Sequence, residues 1–109
     1  MKVKINEAKK RVSPNNFSIA VDIFLNRKVS NNIVSVKNKL YDDIYDVLDK
    51  NIEEFGSLFW LHDKPTESSM AELTVLVKKD GRLKEKDAVD VVKRYINNIV
   101  KYNTDVYVW

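Results

Sequence analysis

Phe17-Ser18-Ile19-Ala20-Val21-Asp22-Ile23-Phe24-Leu25 decides the reading of this chain. Its apolar residues fall at every second position. Successive side chains of a strand point to opposite faces, so Phe17, Ile19, Val21, Ile23 and Leu25 form one row and Ser18, Ala20, Asp22 and Phe24 the other. The first row is the expected core. Downstream the period changes. Ile33, Val36, Leu40, Ile44, Val47, Leu48 and Phe55 recur at three- and four-residue spacing, which predicts a helix from Ile33 to Phe55 with one apolar stripe. Ser30 is the expected N-cap, and Gly56 falls where a helix end often turns left-handed. Ser57 to His62 then reads as a strand that is apolar on both faces.

The same succession follows again. Ala71 to Val77 alternates as a strand with Ala71, Leu73, Val75 and Val77 inward. Asp87 to Tyr102 carries a helical stripe of Val89, Val92, Ile96, Ile99 and Val100, with Asp87 as the expected N-cap. Asp105 to Trp109 closes the chain as a strand. Strand–helix–strand twice over predicts a single α+β domain of split βαβ, ferredoxin-like topology over residues 1–109. Two right-handed crossovers place both helices on one face of an antiparallel sheet. Val3 and Ile5 alternate with polar residues, so Lys2 to Glu7 is compatible with an extra N-terminal strand before the turn Ser13-Pro14-Asn15-Asn16.

Composition limits the chemistry. The 109 residues suit one domain, and 44% apolar with 32% charged residues is ordinary for a globular chain. There is no cysteine, which removes disulfides, thiol nucleophiles and cysteine-held metals. No apolar run approaches the roughly 20 residues that span a bilayer, and the N-terminus lacks the apolar core of a signal peptide. The expectation is a cytoplasmic protein with no membrane partner. The two glycines, Gly56 and Gly81, lie too far apart for a phosphate-binding loop. His62 is the only histidine. It adjoins Asp63, but neighbouring strand residues point apart and no nucleophile is tied to the pair by spacing. The expectation is therefore a protein that is not an enzyme, with no cofactor and no metal.

A split βαβ sheet keeps one face free of helices. The alternation assigns Ala20, Phe24, Thr74, Leu76, Tyr107 and Trp109 to that face, together with one row of Ser57 to His62. Exposed apolar and aromatic patches mark interfaces, so Phe24, Trp60, Leu76, Tyr107 and Trp109 are the expected contacts with a protein partner or a second copy, as a homodimer or higher oligomer. Abundant Asn and Lys suggest an AT-rich coding sequence, and an accessory or structural protein of a phage or mobile element suits the size.

Net charge is +3, unevenly spread. Asp42, Asp46, Asp49 and Glu53 fall four, three and four residues apart and predict an acidic ridge on the first helix. A solvated helix face or a contact for a basic protein surface would each account for it. Nucleic-acid binding is the alternative function, through Lys9, Lys10 and Arg11 or through Lys86, Lys93, Arg94 and Lys101. RNA-binding modules of this topology stack bases on aromatics of the two central strands. Here the third strand has none and Asp22 and Glu72 would repel phosphate, so the likeness is one of topology alone.

Overall fold

In the computed structural model, residues 15–26, 32–79 and 81–109 are described. The expected N-terminal strand, the Ser30 cap and the cluster Lys9, Lys10 and Arg11 lie outside them. Six elements follow in the order β1 (Asn16–Phe24), α1 (Ile33–Asn51), β2 (Phe55–Trp60), β3 (Met70–Lys78), α2 (Glu85–Ile99) and β4 (Asn103–Val108). The sheet order is β2-β3-β1-β4, and every neighbouring pair is antiparallel. The fold is the ferredoxin-like α+β sandwich that the doubled pattern predicts.

The core follows from strand parity. Ile19 stands opposite Val75, Val21 opposite Leu73 and Ile23 opposite Ala71. These residues cluster with Ile33, Leu40, Ile44 and Leu48 of α1 and with Ala88, Val92 and Ile96 of α2, all buried. Both helices thus cover one sheet face. Each fully buried Ile or Leu here contributes about 1.5–3 kcal/mol.

Element boundaries differ from the sequence reading by a few residues, and those at the helix ends do so for local reasons. The first helix stops at Asn51, because Ile52 takes extended backbone (φ −116°, ψ 109°). Phe55 therefore belongs to β2. Gly56 is not a left-handed cap; no described glycine has positive φ. It is the extra residue of a bulge, since Phe55 pairs with Val77 and Ser57 with Leu76. The second helix begins at Glu85 rather than after Asp87, as Ala88 N–H already bonds the Lys84 carbonyl at 2.8 Å. Glu85 and Asp87 fill its first turn, where carboxylates suit the positive end of the helix dipole. Its last residue is Ile99, so Tyr102 lies beyond it, and Thr104 Oγ1 donates to Asn97 Oδ1 at 2.7 Å to tie β4 back to the helix.

At Gly81 a Cβ would meet the outer part of the Glu54 side chain, which would have to swing aside; as it stands, Glu54 Oε2 accepts the Arg82 N–H at 3.0 Å. Glu54 so closes the β3–α2 connection.

Lys37 occupies a core-facing position of α1, between Ile33 and Leu40, and is 1% exposed. Its Nζ donates to the Thr66 carbonyl at 2.6 Å and reaches Thr66 Oγ1 and Ser68 Oγ, each at 3.4 Å. Three donors thus meet three acceptors, and the loop between β2 and β3 is pinned to the helix. Burial lowers the pKa of this amine from 10.5, and the Glu72 carboxylate only partly opposes the shift. The unfolded chain keeps that proton up to 10.5 while the folded chain releases it earlier. Between the lowered pKa and 10.5 the unfolded state binds more protons, so stability rises with pH. Urea unfolding should show this rise as pH approaches 10 in the native sequence and lose it in Lys37→Met; an identical slope in the two would refute the assignment.

Candidate protein interface on the sheet

The register assembles the helix-free face in rows. Phe59, Thr74, Ala20 and Tyr107 form one row across β2, β3, β1 and β4. Ser57, Leu76 and Ser18 form the next, with Trp109 N–H bonding the Ser18 carbonyl at 3.0 Å. Its centre is not displayed. Ser18, Ala20, Thr74 and Leu76 are all buried within the single chain, Leu76 to 8%. Part of the reason is chemical. Ser18 and Ala20 are small, so the Trp109 indole reaches over β1 and its Nε1 donates to Thr74 Oγ1 at 3.1 Å. Leu76 is thus largely covered within the chain, and the half-buried Trp109 is hydrogen-bonded to its own sheet.

Trp60 is also placed differently. Leu58 pairs with Val75 and faces the core, so Trp60, two residues on, shares the helix side. Its ring stacks on Tyr41 at 5.5 Å, while Tyr45 meets Phe55 edge-on at 5.3 Å. The Tyr41 hydroxyl donates to the Leu58 carbonyl at 2.6 Å. This aromatic group docks α1 on β2. Phe59, not Trp60, is the β2 aromatic on the helix-free face.

Exposed apolar surface gathers instead along the β4 side. Phe24 ends β1 opposite Asn103 and is 46% exposed. Tyr107 and Val108 of β4 are 42% and 41% exposed. Among the described residues, β4 is an edge strand by sheet order.

Between Phe24 and Tyr107 runs a row of carboxylates. Glu72 stands opposite Asp22, and Asp22 opposite Asp105. Like charges directly across a sheet repel. Polar contacts from Tyr107 and His62 help to offset this. The Tyr107 hydroxyl donates to Asp22 Oδ2 at 2.7 Å. His62 Nε2 lies 3.2 Å from Glu72 Oε1, so the histidine's partner is Glu72 rather than the adjacent Asp63. Desolvation first, then the hydrogen bond to Asp22 and the charges of Asp22, Asp105 and Glu72, push the Tyr107 phenol up from 10.0 to about 12.

The other predicted residues are surface groups. Asp42, Asp46 and Asp49 are exposed on α1, but Glu53 lies beyond its end in the turn before β2. The ridge is partly neutralised on its own helix, with Lys50 3.2 Å from Asp46 and Lys39 3.4 Å from the flanking Asp43. Lys86, Lys93 and Arg94 are exposed on α2, and Lys101 follows it. Among the described residues no cluster of three His, Asp or Glu is placed to hold a metal, and no helix is long and apolar enough to cross a membrane. Comparison with known proteins finds no matching family model, no matching curated protein and no matching solved structure.

Two measurements probe this face. Thr74→Val leaves the Trp109 indole N–H without its acceptor and should cost about 1 kcal/mol, with a red shift in tryptophan emission; an unchanged spectrum and stability would show the bond to be idle. Tyr107 favours folding fully below pH 10, where it is neutral in both states. Its contribution is lost as pH rises through about 12, because the unfolded phenol then ionises first. Ultraviolet titration of tyrosinate should find a late-ionising group that disappears in Tyr107→Phe.

Proposed function

We propose that this chain is a non-enzymatic protein-interaction module that associates through the β4 margin of its sheet, first of all with a second copy of itself. The supporting observation is the concentration of exposed apolar side chains at Phe24, Tyr107 and Val108, on and beside an edge strand. An edge strand offers a row of outward backbone donors and acceptors, and strand addition there is a recurring mode of association. A two-fold axis near Tyr107 pairs β4 with its copy antiparallel. It brings the two Tyr107 rings together, a favourable cross-strand pair, and sets Asp105 of each copy opposite Trp109 of the other, so that the two Asp105 carboxylates do not face each other. Tyr107 and Val108 point to opposite faces, so both sides of the new ladder gain apolar cover.

The sheet face itself does not suit base stacking. Its central strand β3 has no aromatic residue, and the carboxylate row crosses it. The reading is therefore of a protein contact rather than of nucleic acid.

Light scattering coupled to size exclusion should give a mass that rises with concentration toward the dimer. Val108→Asp should hold the chain monomeric with an unchanged far-ultraviolet circular dichroism spectrum, since Val108 is outside the core. A monomer at all concentrations, or a dimer indifferent to Val108→Asp and Phe24→Asp, would refute this interface.

A further inference from the structure

A cleft of about 600 Å³ lies on the other side of the molecule, between α1 and the α2–β4 connection. Its apolar lining comes from Val36, Leu40, Ile99 and Tyr102. The α1 residues are four apart and so share one flank of the helix. Ile99 is 38% exposed although it ends a helix whose other apolar residues are largely buried. Ser35 forms part of the wall, and Lys39, Asp43 and Lys101 stand at the rim. The volume lies within the roughly 300–1,000 Å³ of small-molecule sites, which combine an apolar lining with a few polar groups.

The rim charge selects the ligand. Asp43 is already engaged by Lys39 at 3.4 Å. Lys101 has no ion-pair partner among the described residues and is exposed. Among the described residues the rim therefore carries one uncompensated positive charge, Lys101, beside an apolar hollow. We infer that the cleft binds a small amphiphile with an apolar body and a single anionic group, its body against Val36, Leu40 and Ile99 and its carboxylate at Lys101. This inference stands apart from the association through β4, which uses none of these residues.

Calorimetric titration of the full chain with octanoate, octanol and octylammonium separates the two components of recognition. Octanoate should bind saturably, about fivefold tighter than octanol, the advantage expected of one exposed charge pair. Octylammonium should bind weakest. Lys101→Glu should abolish the preference for octanoate while leaving octanol binding in place. Ser35→Trp, which fills the cleft from an exposed helix position, should remove both, with circular dichroism confirming the fold; Ile99→Asp serves should that variant not fold. Absence of saturable octanoate binding would overturn the proposal. So would an unchanged affinity in a folded Ser35→Trp or Ile99→Asp, or equal binding of the anionic and cationic probes.

Discussion

The antiparallel pairing of β1 with β3 is the constraint on which the rest of the structure depends. It runs through nine residue pairs from Asn16 with Lys78 to Phe24 with Met70. Strand parity makes this register all-or-none, because a slip of one residue would turn Ile19, Val21 and Ile23 out of the core and bring Ser18, Ala20 and Asp22 into it. The two helices pack on this row and on its flanks, Leu58 of β2 and Val106 of β4. Ile44 and Leu48 of α1 and Val92 and Ile96 of α2 are fully buried in that cluster.

The opposite face is shaped by the same register, with different chemistry. Ser18 and Ala20 leave a shallow trough along β1 that the Trp109 indole bridges to reach Thr74. Closing the trough with a residue from the last position of the chain couples β4 to β3, although these strands are not neighbours. One step along the strands, the trough gives way to Asp22, flanked by Glu72 and Asp105. Tyr107 serves both regions: its backbone pairs with Ala20 and its hydroxyl binds Asp22. The helix-free face is thus an organised surface of the folded chain, with its exposed apolar area displaced to the β4 margin.

How much of this is legible in the sequence depends on how one-sided each segment is. β1 and β3 alternate without ambiguity, and their faces follow from parity. β2 does not, because Leu58 to Leu61 is apolar at every position, and the bulge at Gly56 resets the count in a way that composition alone does not show. Trp60 and Phe59 exchange roles for that reason. Lys37 is missed because lysine is ordinarily a surface residue. The available signal is its position in the series Ile33, Lys37, Leu40, Ile44, Leu48, which keeps the core spacing better than Val36 does. The carboxylate row is legible only in part. Parity already places Asp22 and Glu72 on the helix-free face, but only the register aligns them with each other and with Asp105. The Asp87 cap fails because α2 already begins at Glu85, after an N-cap residue that makes no side-chain cap bond.

The carboxylate row also bears on how two copies could meet. Packing two helix-free faces together would bring Asp22, Glu72 and Asp105 of one copy against those of the other in a space from which water is excluded. Charges brought together out of water carry a desolvation cost that only opposite partners offset, and each row would add carboxylates to those of the other. It would also find the central apolar residues already covered, leaving little area to gain. Edge pairing at β4 avoids both costs. The rows stay at the surface, side by side rather than face to face, while Tyr107 and Val108 contribute the apolar contact. Salt acts on the two modes in opposite ways. Screening would strengthen a face-to-face dimer by relieving its repulsion, whereas an edge dimer held by backbone bonds and apolar contacts would be nearly indifferent to it. On the proposed association, the row would favour lateral pairing at the sheet edge over stacking of faces.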